Sequence, residues 1–340
     1  MTVDTMQGVT KRSAEMNDVG LQSHPRPTAR PGHVILEVAA AGICGTDLHI
    51  FRNEYASNPP VILGHEVCGH VAELGEGVDP ALSGRRVVAE TFFSTCGRCR
   101  YCRDGRPNMC GQRKSVGSHV NGAMTSLVEV PVHNLHDVPE PLSDAAASLA
   151  EPVACVANSM FGDVSFVEPG DRVLVTGPGA IGQIAAQVAR AAGGHVTLRG
   201  TPGDAARLAM GRTMGFETSV VGDDLPEGSF DKCVECSGSG HAFGEALGFL
   251  VKGGHLMNMG LSGRVSTLAL DPICLKELRI TSGFASTPRS WRRAMGWLQS
   301  GVLDLQPLIT DVLPLSEWQT GFDRSFAADG IKFVLDPRLT

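Results

Sequence analysis

Over the first 140 residues the apolar positions fall in short runs broken by glycine, proline and polar residues, the texture of strands with long connections. Residues 33–41 (HVILEVAAA) read as a buried strand, and residues 61–69 (VILGHEVCG) are apolar and β-branched around a Gly-His-Glu triplet. Residues 85–90, 126–132 and 135–138 read as further strands. Residues 42–51 turn into a short helix, with Thr46 or Asp47 suited to cap it. After residue 140 the pattern changes to alternating strands and helices. A helix opens at 149–152, with Pro152 in its tolerant first turn, and runs to about 160. Strands are predicted at 172–176, 195–199, 231–235 and 255–259. Helices are predicted at 180–192, 204–214 and 241–251, stopped by Gly193-Gly194, Gly215 and Gly253-Gly254. A helix at 288–300 and a strand at 331–335 close the chain. The alternation argues an α/β fold with a parallel sheet covered on both faces. The closing strand suggests a discontinuous first domain, residues 1–153 with 290–340, around a second at 154–289.

Composition narrows the function classes. A chain of 340 residues exceeds what one hydrophobic core usually serves, which fits two domains. Twenty-nine Lys and Arg against 36 Asp and Glu leave a formal charge of −7, the wrong sign for a nucleic-acid binder. Aromatics at 5% offer no base-stacking surface. No long apolar run is available to span a membrane, and residues 1–22 are polar rather than signal-like, so a soluble, cytoplasmic protein is expected.

Ten cysteines in a reducing compartment point to metal chemistry rather than disulfides. Cys96-x2-Cys99-x2-Cys102-x7-Cys110 places four soft ligands on a Gly- and Arg-rich excursion at 94–112. Four thiolates suit tetrahedral zinc with no vacant position, a structural site, with an iron–sulfur cluster as the competing reading. Gly177-Pro178-Gly179-Ala180-Ile181-Gly182 follows one strand and opens a helix. There Gly177 permits the turn, Gly179 the approach of a pyrophosphate, and Gly182 close helix–strand packing, which reads as a dinucleotide cradle. The acid expected at the end of the next strand is missing: the stretch runs Arg199-Gly200-Thr201, and Asp204 comes late. Arg199 and Arg207 suit a 2′-phosphate, and Thr201 suits either cofactor, so NADP is favoured over NAD. Cys233-x2-Cys236 has redox-pair spacing but lies at a strand end, where packing is the plainer reading.

Three fragments complete the pattern: Cys44-Gly-Thr46-Asp-Leu-His49, Gly64-His65-Glu66 and Glu151-Pro152. With the four-cysteine loop and the cradle, their order and spacing resemble the zinc-dependent medium-chain dehydrogenases, nearest the sorbitol and threonine dehydrogenase branches. The resemblance spans about residues 31–337. It implies a GroES-like β-rich catalytic domain plus a Rossmann domain, with zinc and substrate in the cleft between them. It implies two zinc ions per chain, one structural and one catalytic, the latter held by Cys44, His65 and Glu151. Glu66 is the adjacent acid that ligates the metal or holds its water. Thr46 would pass the substrate proton through the cofactor ribose to His49 at the solvent end. Ser237, Met259, Gly260, Leu261, Gly283 and Phe284 would border the cofactor, the last five offering backbone groups to the nicotinamide amide. His119 and Asn121 would sit near the substrate loop. Ser126-Leu127 stand where many members have Glu-Tyr, which withholds the substrate's identity. The implied activity is reversible oxidation of a secondary hydroxyl on a polyol, sugar or cyclitol to a ketone with NAD(P). Alternatives are a simple alcohol or aldehyde dehydrogenase of the same fold, and a non-catalytic redox-sensing zinc protein. Family members are dimers or tetramers, so a homo-oligomer is expected, with only a small-molecule alcohol or ketone as partner.

Overall fold

The structure, a computed structural model, describes residues 4–340. The chain forms two compact units: residues up to Glu151 with Leu308–Thr340, and Pro152–Pro307. The helix at Pro288–Ser300 and everything up to Pro307 thus go with the second unit, whereas the sequence placed the return at residue 290.

The first unit is β-rich. Its elements run β1 (Thr5–Lys11), β2 (Val19–Pro25), β3 (His33–Gly42), α1 (Gly45–Phe51), β4 (Val61–Ile62), β5 (Glu66–Leu74), β6 (Arg86–Ala89) and β7 (Phe92–Ser94). They continue with α2 (Arg100–Arg103), β8 (Lys114–Ser115), β9 (Leu127–Pro131), β10 (Leu135–Asp137) and α3 (Asp144–Ser148). The apolar run at 61–69 is not one strand. It breaks at Gly64, whose φ of +91° suits glycine, so β4 joins a small sheet with β1 and β5 enters the main sheet. A Cβ at Gly64 would meet Met124 Cγ at 2.7 Å, so the break is also sterically tight. Val34, Leu36, Val67, Val128 and Leu335 are among the side chains filling the core beneath the main sheet.

Helix α4 (Ala150–Met160) leads into the second unit. There β11 (Arg172–Thr176), α5 (Ala180–Ala191), β12 (His195–Gly200), α6 (Ala205–Thr213), β13 (Glu217–Val220), β14 (Phe230–Glu235), α7 (Gly240–Phe249), β15 (Leu250–Asn258), α8 (Asp271–Leu275), β16 (Arg279–Ser282) and α9 (Pro288–Ser300) follow. The strands form one parallel sheet in the order β13-β12-β11-β14-β15-β16. That order reverses direction at β11, the switch point at which such sheets leave a crevice beyond their carboxyl ends. The chain then returns with β17 (Ile309–Pro314), α10 (Trp318–Phe326) and β18 (Lys332–Asp336). Strand β18 pairs antiparallel with β3 and parallel with β17, which closes the first unit's main sheet, ordered β10-β6-β5-β3-β18-β17 with β9 also on β3.

Candidate active site and metal centres

Three turns bring three donors together. Cys44 is the N-cap of α1, His65 lies in the gap between β4 and β5, and Glu66 begins β5. Their ligand atoms all lie within 4.8 Å of one another. Asp47, fully buried, ties them into place: its Oδ2 accepts from the Cys44 N–H at 2.9 Å. Its Oδ1 accepts from the Gly64 N–H at 3.2 Å and lies 3.7 Å from His65 Nδ1. Burial disfavours a charged His65, yet its neighbours Cys44 and Asp47 outweigh it and hold its pKa well above the ordinary range. A sulfur, an imidazole and a carboxylate converging in this way suit a metal ion. Lys332 of β18 donates to both Glu66 oxygens at 2.8 Å and to the Ile43 carbonyl at 2.9 Å. A Cβ at Gly42 would fall 2.1 Å from Glu66 Oε2, so glycine there leaves room for that carboxylate.

The remaining expected residues of this site lie at its edge. Thr46 Oγ1 is 3.8 Å from Cys44 Sγ. His49, at the last turn of α1, pairs through Nδ1 with Glu54 at 2.7 Å and is partly exposed. Glu151 is buried at the start of α4 and accepts from Thr91 Oγ1 at 3.0 Å, outside the Cys44–His65–Glu66 group. Asn121 Oδ1 accepts from the Ile62 N–H at 3.1 Å and fixes a loop. His119 is turned to Ser118 at 2.9 Å, and burial, with Arg113 and Lys114, lowers its pKa. Asp47 and Lys332 are the functional side chains the sequence reading left out.

Cys96, Cys99, Cys102 and Cys110 form the second donor group, again with all ligand atoms within 4.8 Å. Backbone N–H groups of Cys96 and Gln112 point to Cys110 Sγ, each at 3.4 Å, and that of Cys99 to Cys96 Sγ at 3.3 Å. Such N–H···S contacts stabilise thiolate, and those from Arg98 and Cys99 draw the Cys96 thiol down to about 6. Four converging sulfurs with backbone donors fit a tetrathiolate metal site.

In the second unit, Gly177 has φ +83° and a Cβ on it would fall 2.7 Å from Ser237. A Cβ on Gly182 would fall 1.9 Å from the Gly177 carbonyl. Ala180 and Ile181 open α5 with Gly179 as its N-cap. Backbone amides at a helix start and no side chains in the way fit a pyrophosphate. Glu235, buried at the end of β14, accepts from Thr176 Oγ1 at 3.3 Å and from the Ser237 and Gly238 N–H groups at 2.7 and 3.2 Å. The Met259 and Gly260 N–H groups donate to the Glu235 carbonyl at 2.8 and 3.0 Å, and Leu261 packs on Gly238. Asn158 Nδ2 donates to the Phe284 carbonyl at 3.2 Å, and Gly283 sits against Ser159. These contacts collect the expected cofactor segments at the carboxyl end of the sheet.

A pocket of about 300 Å³ lies beside them, lined in part by Gly177, Arg199, Thr201, Asp204, Glu245 and Phe249. Arg199 is buried and committed: Nη1 donates to Ser219 Oγ at 2.6 Å and to the Val220 carbonyl at 3.1 Å, while Nη2 faces Glu245 at 3.6 Å. Arg207 Nη1 faces Asp204 at 3.6 Å. Neither arginine is set out as an uncommitted phosphate receptor. Burial pushes both Cys233 and Cys236 thiols up, which fits packing rather than a redox pair.

The chain matches the family model described as alcohol dehydrogenase GroES-like domain over residues 30–140 and that described as zinc-binding dehydrogenase over residues 180–300. It is 32% identical over 345 residues to a D-arabitol-phosphate dehydrogenase of Enterococcus avium, covering 98% of this chain and 97% of the relative. It is 31% identical over 343 residues to a sorbitol dehydrogenase of Halalkalibacterium halodurans, covering 98% and 99%. Among solved structures, a zinc-binding dehydrogenase from Sinorhizobium meliloti bound to NADP superposes with a TM-score of 0.89 at 27% identity, covering 98% of this chain and all of the other. On these matches and this geometry, the chain belongs to the zinc-dependent medium-chain dehydrogenases, in the branch of the sorbitol and threonine dehydrogenases.

Proposed function

We propose that this protein moves a hydride reversibly between a secondary hydroxyl of a polyol, sugar or cyclitol and a nicotinamide dinucleotide, giving a ketone. The observation that carries the reading is the convergence of Cys44, His65 and Glu66 within 4.8 Å, locked by Asp47. Cys44 and His65, with a carboxylate from Glu66, which converges with them, or from Glu151, which lies outside that group, are read as the ligands of a catalytic zinc, and the four cysteines at 96–110 as those of a structural one. Thr91 orients Glu151 as outer hydrogen bonds orient a ligating carboxylate, and Lys332 holds Glu66 beside the metal as the adjacent acid. When bound, zinc supplies Lewis acidity and the dinucleotide supplies the hydride acceptor.

The chain's own residues handle the proton. The Thr46 hydroxyl, next to the Cys44 sulfur, takes the substrate's hydroxyl proton into its hydrogen bond and hands it outward. His49, at the solvent end of the same short helix and fixed by Glu54, exchanges it with water. Asp47 keeps the turns that carry Cys44 and His65 in register.

The test is metal quantification on the purified protein together with absorbance of the reduced cofactor across a panel of polyols and short primary alcohols. Two zinc equivalents and turnover confined to secondary polyol hydroxyls are expected. Turnover only with primary alcohols would favour a simple alcohol dehydrogenase. A single zinc without hydride transfer would favour a redox sensor. Thr46→Val should lower kcat by at least about tenfold with zinc content unchanged, and unchanged kinetics would remove Thr46 from the relay.

Two further readings belong to this proposal. Leu270, Leu275 and Ile280 are exposed on and before the edge strand β16, which suits assembly into a homo-oligomer, read by light scattering. None of the ten cysteines is in a disulfide, which suits a reducing, cytoplasmic setting.

A further inference from the structure

We propose that Asp204 takes the part of the missing strand-end acid, reads the adenosine ribose as a free hydroxyl, and makes this chain select NAD(H) over NADP(H). The inference rests on the reading of residues 177–182 as a dinucleotide cradle and deepens it. Strand β12 ends in Gly200, which has no side chain to offer a ribose. A Cβ built on Gly200 would lie 3.0 Å from the Cβ of Asp204 and 2.9 Å from Pro178 Cγ. Asp204 therefore stands against the very space from which an acid at position 200 would start, although it comes four residues later in the chain. The short turn at residues 202–204 folds it back.

Its orientation is fixed. Oδ2 accepts from the Thr201 N–H at 2.9 Å and from the Thr201 hydroxyl at 2.7 Å. Oδ1 faces Arg207 Nη1 at 3.6 Å, and that nitrogen is 4.0 Å from the Cβ position of Gly179 in the cradle. Asp204 lines the same 300 Å³ pocket as Gly177, Gly200 and Thr201. A carboxylate there accepts a hydroxyl and repels a phosphate monoester, which carries nearly two negative charges.

The two arginines that would welcome a 2′-phosphate are already engaged. The Arg199 Nη atoms serve Ser219, Val220 and Glu245, and its guanidinium carbon lies 5.2 Å from the Phe249 ring centre. Only its buried Nε lacks a partner. Glu245 brings a second carboxylate to the pocket wall. The sequence favoured NADP because the strand-end acid was absent and two arginines were near. The folded turn supplies the acid from Asp204 and spends both arginines on internal partners.

The experiment is equilibrium titration of the full-length, zinc-replete protein with NADH and with NADPH, followed by nicotinamide fluorescence. The wild type should bind NADH at least about tenfold more tightly than NADPH. Asp204→Ala should weaken NADH about tenfold and leave NADPH unchanged or tighter. Asp204→Asn keeps an acceptor for Thr201 while removing the charge, and should tighten NADPH severalfold with an unchanged melting temperature. Tighter NADPH binding by the wild type overturns the proposal, as does an equal loss of both cofactors in the two variants. Failure of the folded wild type to bind either cofactor overturns the cradle reading itself and this proposal with it, an outcome distinct from the first two.

Discussion

At the scale of single residues, the candidate metal donors were legible in the sequence and their supports were not. The spacing of the four clustered cysteines is itself a chemical statement, whereas Cys44, His65 and Glu66 became candidates through the family resemblance. Asp47 left a trace, three residues after Cys44 at the N3 position of a capping box, but a cap is a common reason for an aspartate. Lys332 left none, because its partner Glu66 lies 266 residues away and only the pairing of β18 with β3 brings them together. That lysine is nonetheless energetically exacting. It is almost fully buried, and it faces a carboxylate that is also buried. Burial alone would lower its pKa, yet the Glu66 charge, with Cys44 and Asp47, holds it above the usual range. Lys332→Met should therefore cost about 3 kcal/mol in urea unfolding, because it strands the Glu66 charge without a partner. Adding Glu66→Gln should recover most of that loss at matched zinc saturation. Equal losses in the single and double variants would mean that packing, not charge, sets the cost.

At the scale of elements, strand–helix alternation made the four inner strands of the parallel sheet legible, but it gave no range for the edge strands β13 and β16, and it misplaced a helix end. The pair Gly253-Gly254 was expected to stop a helix. Instead α7 ends at Phe249 and both glycines lie inside β15. The helix end is satisfied another way: Lys276 Nζ donates to the Leu247, Gly248 and Leu250 carbonyls at 3.0, 2.7 and 3.0 Å. A lysine reaching back from beyond the next strand takes the role assigned to glycine, and no local pattern reveals it. Strand β15 also carries a buried titratable group. His255 Nε2 shares a hydrogen bond with Thr281 Oγ1 of β16 at 2.8 Å, and Thr281 Oγ1 bonds Ser165 Oγ at 2.7 Å. Burial, then Lys232 and Arg279, press the His255 pKa down to about 4. The folded value lies below the ordinary one near 6.5, so between those two pH values the unfolded chain binds a proton that the native chain refuses. Stability from this residue is thus present above the ordinary value and lost as pH falls toward the folded one. His255→Gln should flatten the acid limb of the stability curve by up to about 1.4 kcal/mol per pH unit in that window. A parallel limb in the variant would place the acid sensitivity elsewhere.

At the scale of the whole molecule, the division of labour between the two units makes a separable prediction. Both donor groups found among the described residues lie in the first unit, and the glycine cradle with its pocket lies in the second. Each unit has its own hydrophobic core, one around Val34, Leu36 and Val67 and another around Leu174, Leu247 and Leu256. The two donor groups also differ in kind. As proposed, four thiolates would close one coordination sphere, whereas a Cys44–His65 site completed by a carboxylate would keep a position for substrate. A small chelator that competes for a vacant position should extract the second kind first. Dialysis against dipicolinate should thus remove one zinc equivalent and abolish hydride transfer, while the far-ultraviolet circular dichroism stays unchanged. Because no metal donor group is found among the described residues of the cradle's unit, NADH should still bind, with a Kd within about threefold of the holoprotein. Loss of cofactor binding in parallel with that first zinc equivalent would show that the metal-bearing unit shapes the dinucleotide site. Loss of secondary structure with the first equivalent would assign the labile zinc to the thiolate loop and reverse the roles given to the two sites.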